Sequence, residues 1–332
     1  MRRTVRFIIS EKVKHDGGIK LKVGMQNSLI VQLGDVHDCY RIASEFGISA
    51  VDLGMSDQWS IGQINKNETY GFFDKTVEEI YEYYRPYKEA AECNGITFHQ
   101  LHAPFPSMKI GNPEMNAYIH MAFEKCIRVA SLLDCGYVVV HPIYVDAYRT
   151  EDEDFQVNFD AFITYADLLK ESGVVMCIEN AYWVFEGRIL CCSGSNSSFL
   201  VRLVEALNES AGVECFGLCY DTGHANITGK DQYQEILTFG KHLKVLHIHD
   251  TDGTFDTHLI PYTSRYLDRP GTDWSGVLKG LAKINYEGCI SFETDGGIKG
   301  FPTEVRRDAV RLNASIGKYF VDMVEQYKKK DV

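Results

Sequence analysis

Short apolar runs rich in β-branched residues alternate along the chain with longer stretches whose apolar positions recur at helical spacing. The clearest runs are YVVVH ending at His141, VVMCIEN at 174–180, FGLCYDTGH at 216–224, LKVLHIHD at 243–250 and CISFET at 289–294. Runs of this length between turn signals read as strands buried on both faces. IKLKVGMQ, SAVDLGM and GITFHQLH add three more. Between them, GDVHDCYRIASEFG puts Val36, Cys39, Ile42, Ala43 and Phe46 on one helical face, with Gly47 as the stop. A capping box of Thr76 and Glu79 opens the next helix, and Asn112-Pro113 opens another that closes at Gly136. Helices are also expected over NFDAFITYADLLKESG, SSFLVRLVEALNES, a short stretch near DQYQEILTFG, DWSGVLKGLAKI and residues 302–330. Eight strands alternating with helices predict an α/β chain folded as a (β/α)8 TIM barrel. The barrel is expected over residues 20–332, after an N-terminal extension at 1–19 that contains a hairpin-like TVRFIIS and a His15–Gly18 turn.

The strand ends change this from a fold reading into a chemical one. His102, His141, Glu179, Asp221, His247 and Glu293 each stand where an apolar run stops, at spacings of roughly forty residues that suit one strand–helix unit each. In a parallel barrel those ends converge on one face. An open doubly wound sheet also alternates strand and helix, but it brings fewer ends to one crevice. Taken singly, a carboxylate after a strand is equally well a helix cap or an ion-pair partner. Four in phase with four strands favour a shared cation: Glu179, Asp221, His247 and Glu293. An oxygen-rich set with one imidazole suits Mn²⁺, or Mg²⁺, Co²⁺ or Zn²⁺. His224 follows Asp221 by three residues at the start of a loop, and His258 lies with Asp256 in TFDTHLIP. A proline close behind His102 and His141 marks a chain turning out of the strand, exposing the ring at the site. His99, His120 and His249 carry no such signal, and His249 is expected to point away from the cation. Trp59, Phe105 and Trp183 fall in loops after strands, where a flat ligand face can stack or a loop can pack.

Bulk properties narrow the partners. The net charge of −12 and pI of about 5.4 argue against nucleic acid and anionic membranes. No run approaches the roughly 18 apolar residues of a membrane span. Glu11 and Lys12 interrupt the N-terminal apolar run before it reaches signal-peptide length, so a cytoplasmic location is expected. Ten cysteines include no CxxC pair, and Cys177, Cys219 and Cys289 lie inside apolar runs as small core residues.

Two glutamates on one divalent ion suit a particular reaction. A cation chelating a carbonyl and its neighbouring hydroxyl acidifies the carbon-bound proton and steadies the enediolate, while the carboxylates remove and return that proton. The same cluster with further ions suits water activation for phosphodiester hydrolysis. On the motifs HAPF, VVHP, CIEN, YDTGHAN, HIHD, DTHLIP and SFE, the chain over about 20–300 resembles the xylose isomerase-like barrel superfamily. By that resemblance Glu179, Asp221, His247 and Glu293 match the epimerases' metal ligands, Glu179 and Glu293 their acid/base pair, and His224 a substrate contact.

The resemblance implies an isomerase or epimerase of a ketose or oxo-sugar. Two alternatives stand beside it. The type IV apurinic endonucleases add His102, His141, Asp256 and His258 as ligands of further zinc ions. The C-glycoside-cleaving enzymes pair a manganese barrel with a small second subunit and cleave 3-oxo-glucosides, with a histidine such as His141 as base. The substrate pocket is expected to include His102, His224, His258 and Arg265, the last in a long loop that also holds Arg269. The chain is expected to form a homo-oligomer or to pair with a small partner.

Overall fold

A computed structural model describes residues 21–146, 148–264 and 271–330. The expected N-terminal extension, Arg265 and Arg269 lie outside these residues. The strands are β1 (Lys22–Gln26), β2 (Ala50–Gly54), β3 (Thr97–His102), β4 (Tyr137–Val140), β5 (Val175–Glu179), β6 (Trp183–Phe185), β7 (Arg188–Leu190), β8 (Phe216–Asp221), β9 (Leu243–His247) and β10 (Cys289–Phe292). Eight of them form one sheet in the order β10-β1-β2-β3-β4-β5-β8-β9, every neighbouring pair parallel. The sheet closes on itself where Ile248 bridges Phe292, with Ile248 N–H donating to Ser291 O at 2.7 Å and Glu293 N–H to Ile248 O at 3.1 Å. The expected eight-stranded barrel is therefore what the chain forms.

Helices fill the connections at the expected places, several fixed by local chemistry. Thr76 and Glu79 make the reciprocal capping box that starts Val77–Cys93, and Asn112 caps Pro113–Leu132, whose first residue is the proline. The stretch expected as one helix near 158–173 divides into Glu151–Ile163 and Ala166–Ser172. After β5 the chain makes an addition that periodicity did not signal. Strands β6 and β7 pair antiparallel across Glu186-Gly187, both at positive φ, in a small hairpin beside the barrel mouth.

Strand parity explains why the barrel interior is dry below and polar above. Alternate residues of a strand face the same side. Val139, Cys177, Cys219 and Val245 pack together as a fully buried cluster inside the barrel. Two residues further along the same strands stand His141, Glu179, Asp221 and His247. One pleat repeat thus separates an apolar layer from the polar one. The buried cysteines act as expected, as small core residues, and none of the ten forms a disulfide. No helix of the described residues is long and apolar enough to cross a membrane.

At the opposite end, where strands begin, His99 on β3 is mostly enclosed, and its Nε2 has no hydrogen-bond partner. Burial, with Lys22 nearby, pushes its pKa down to about 4. The unfolded chain therefore binds a proton more readily than the folded one across the interval from about 6.5 to about 4. Stability contributed by neutral His99 is complete above pH 6.5 and is lost as the pH falls through the folded value. The ceiling on that loss is about 3 kcal/mol. Urea unfolding of the wild type and of His99→Gln at pH 7 and pH 4 is expected to favour the variant progressively at the lower pH. An unchanged difference between the two proteins would refute it.

Candidate active site

The six strand-end residues singled out in the sequence all reach the mouth of the barrel, but they do not surround one point evenly. Glu179, at the end of β5, is the hub. Its carboxylate lies 2.8 Å from His247 Nδ1, 3.1 Å from His141 Nε2, 3.3 Å from His102 Nε2 and 3.6 Å from His224 Nδ1. It is 1% exposed. Burial alone would raise its pKa, yet the charges of His247 and His141 and the hydrogen bonds from His102 and His141 hold it well below the usual carboxylate range. Glu293, just past β10, approaches the other nitrogen of the same ring, 3.6 Å from His247 Nε2. Two carboxylates from strands on different sides of the barrel thus bracket a single imidazole.

Asp221 belongs to a neighbouring group. Its two oxygens lie 3.0 and 2.9 Å from His249 Nε2, and its Oδ1 accepts from the backbone N–H of His224, capping the helix Thr222–Ile227. His249 was expected to face away. Residues 247 and 249 are separated by one pleat repeat, so they share the inner side, and His249 points at Asp221. Gly223 makes room for it: a Cβ there would stand 2.0 Å from His249 Cε1. His249 in turn stacks on His258, with centroids 4.1 Å apart and planes 2° from parallel. Asp256 connects the outer residues, 3.3 Å from His224 Nε2 and 3.4 Å from His258 Nε2, and accepts the Tyr182 hydroxyl at 3.1 Å. Burial opposes charging either ring. The carboxylates win: Asp221, Asp256 and Glu179 hold His224 well above its ordinary pKa, and Asp256 with Glu293 raises His258 to about 10.

Ligand atoms lie mutually within 4.8 Å in four sets among the described residues: His102, Glu179 and His247; Asp52, His247 and Glu293; Asp221, His224 and His249; and His249, Asp256 and His258. The four ligands read from sequence are therefore spread over three sets: Glu179 and Glu293 fall in separate sets that share His247, and Asp221 in a third. The donors nevertheless fit a divalent cation. They are carboxylates and imidazoles only, they converge from different strands, and buried His247 Nε2, Asp52 Oδ1 and Asp256 Oδ1 have no hydrogen-bond partner.

Above these groups opens a cavity of about 520 Å³. His102, His141, Glu179, His224, His258 and Glu293 line it, so all the expected pocket residues within the described chain reach one space. Phe105 stacks on His141 at 4.7 Å, consistent with an aromatic beside the ring, whereas Trp59 is buried against Phe73 and Tyr118, away from the cavity lining. Trp183 packs in the hairpin against Tyr144 and Phe185. The polar wall adds Gln26, the last residue of β1, and Ser28, Ser56, Asp57 and Asp295, which follow strands; sequence periodicity marked none of them.

Residues 40–312 match the family described as xylose isomerase-like TIM barrel, and the chain belongs to that family. Among curated proteins it is 26% identical over 169 residues to the uncharacterized protein y4fM of Sinorhizobium fredii (strain NBRC 101917 / NGR234). That match spans about half of each protein, 51% of this chain and 50% of the relative. Among solved structures, the IolI protein with a bound zinc atom superposes with a TM-score of 0.66 at 16% identity, covering 92% of this chain and 99% of the other. A D-psicose 3-epimerase in the presence of D-fructose gives 0.63 at 16% identity, covering 91% and 99%. The 3-keto-D-glucoside 4-epimerase YcjR from E. coli gives 0.60 at 15%, covering 89% and 100%. At these identities the likeness establishes a shared fold.

Proposed function

We propose that the protein is a divalent-metal-dependent isomerase or epimerase of an uncharged ketose or oxo-sugar. The observation that carries this is the convergence of two carboxylates, Glu179 and Glu293, with His102, His141, His224 and His258 on one cavity. Glu179, His247 and Glu293 would hold the ion, with Asp221 as the fourth residue, and manganese or a similar hard ion suits them. When bound, the ion supplies Lewis-acid polarisation of a substrate carbonyl. The protein's own groups do the rest. Glu179 is held ionised, so it accepts a proton from the carbon beside the carbonyl, and Glu293 faces the substrate from the other wall to return one. His102 and His141, hydrogen-bonded to Glu179, keep its carboxylate in place. His224 and His258, kept protonated by Asp256, offer N–H donors to the developing negative oxygen.

Charge around the cavity favours a neutral substrate over a sugar phosphate or a nucleic-acid backbone. Five carboxylates line it (Asp57, Glu179, Asp256, Glu293 and Asp295), and among the described residues no lysine or arginine does. The family resemblances of this chain span zinc phosphodiesterases as well as epimerases, and this balance supports the sugar reading.

The test is deuterium uptake from D₂O. The Mn²⁺-supplemented protein is incubated with neutral ketoses and 3-oxo-glucosides beside their phosphorylated counterparts and followed by NMR. Uptake next to the carbonyl is expected for a neutral sugar, at a rate at least about tenfold above its phosphate, the factor that about 1.4 kcal/mol of repulsion gives. Release of an aglycone from a 3-oxo-glucoside would move the reaction to the lyase class. Cleavage of abasic DNA without any uptake into sugars would overturn the proposal.

A further inference from the structure

We propose that the end of the barrel opposite the mouth carries a second binding site, for a phosphate group that is either free or borne on a small metabolite. A cavity of about 540 Å³ opens there, where the strands begin. Lys22, His99, Tyr137, Lys241, Lys244 and Glu287 are among the side chains lining it. Three ammonium groups against one carboxylate reverse the charge balance of the mouth, in a chain whose net charge is −12. The two spaces are separate. Tyr137 stands two residues before Val139 on the inner side of β4 and packs on the apolar cluster of Val139, Cys177, Cys219 and Val245, which lies between it and the polar layer of the mouth.

Among the described residues none of the three lysines is in an ion pair. Lys22 Nζ donates to the Thr97 hydroxyl at 2.9 Å and Lys244 Nζ to the carbonyl of Lys241 at 2.9 Å, both uncharged acceptors. An ammonium has three donors, so two remain on each of these for a ligand. Like charges gathered round one concavity repel, and a bound anion turns that repulsion into attraction. His99 adds a buried ring nitrogen, Nε2, with no hydrogen-bond partner, and its ring lies against Tyr137 with centroids 5.2 Å apart. The backbone makes room for the arrangement: a Cβ on Gly217 of β8 would stand 2.5 Å from Lys244 Cγ, so the glycine lets that stem lie over the strand. The donor set selects the anion. Lysines act as point charges suited to a tetrahedral oxyanion, whereas planar, bidentate recognition of a carboxylate falls to arginine, and among the described residues no arginine lines the cavity. The volume exceeds that of a phosphate ion and leaves room beside Tyr137 and Tyr286 for the body of a phosphate ester.

Calorimetric titration of the full chain with inorganic phosphate, glycerol 3-phosphate and succinate tests the site. Phosphate is expected to bind with a dissociation constant of about 1 mM or tighter, and succinate about tenfold more weakly. Lys22→Gln and Lys244→Gln are each expected to weaken phosphate by about tenfold, the scale of one lost hydrogen bond to a charged group. In wild type the C2 proton resonance of His99, assigned by its loss in His99→Gln, is expected to shift as phosphate is added, which locates the anion at this end rather than at the histidine-rich mouth. Tighter binding of glycerol 3-phosphate than of inorganic phosphate assigns the site to an ester, and equal or weaker binding assigns it to the free ion. Wild type that binds neither, unchanged affinity in both lysine variants, an unmoved His99 resonance, or succinate binding as tightly as phosphate overturns the proposal. None of these readouts involves the cation or turnover at the mouth, so the outcome is independent of the sugar reading.

Discussion

Glu179→Gln is expected to lower deuterium exchange and turnover by about 10²- to 10⁴-fold, the range that a positioned acid or base contributes. The substitution keeps the volume and both side-chain hydrogen-bonding positions but removes the negative charge. Four imidazoles face that charge at 2.8 to 3.6 Å. Losing it weakens the ion's hold and removes the proton acceptor together, so kcat falls far more than KM rises. Glu293→Gln is expected to lose turnover on the same scale, because it supplies the second carboxylate beside His247. Circular dichroism should show both variants folded, since neither change removes core volume. Turnover within about threefold of wild type in a folded Glu179→Gln would end the assignment of that residue.

Stripping the protein with a chelator is expected to reduce activity below about one hundredth, with recovery on adding Mn²⁺. A second consequence is thermodynamic. Binding to the folded state alone stabilises by about 2.7 kcal/mol when the free ion is at one hundred times its dissociation constant. For a chain of 332 residues that corresponds to a rise in Tm of a few degrees. The stabilisation arises because the carboxylates are ionised and crowded at the mouth: Glu179 and Asp221 are both held below their ordinary pKa. Activity indifferent to chelation, with an unmoved Tm, would remove the cation from the account.

The barrel was legible because parallel strands covered on both faces leave uninterrupted apolar runs, and a charged residue ending such a run is conspicuous. That logic located Glu179, Asp221, His247 and Glu293 and the histidines at 102 and 141. It was silent where the chemistry sits inside a run. Asp52 lies within SAVDLGM, and only the three-dimensional meeting of β2, β3 and β9 shows that its carboxylate faces His247. His249 was misjudged on proximity, when strand parity puts it on the same inner side as His247 and against Asp221. The hairpin of β6 and β7 escaped because its strands are three residues each, too short for an alternation to declare itself, and its turn is Glu186-Gly187 rather than a stronger turn pair. Distribution of the ligands over adjoining sets depends on side-chain directions that no spacing encodes.

The closure between β9 and β10 has a mechanical consequence for the mouth. His249 and Glu293 sit immediately beyond a junction made by one bridge and two backbone hydrogen bonds, where other neighbouring strands share a longer ladder. The helix Thr303–Lys330 packs on β1 and β10, on one side of this thin join. Phe320 packs on Phe292 and Trp274, Asn313 donates to the Thr294 hydroxyl at 2.7 Å, and Gly317 lets the helix sit directly on Val23 and Phe292. The last helix thus braces β10 from outside, and the placement of Glu293 is set partly by a segment that never enters the cavity.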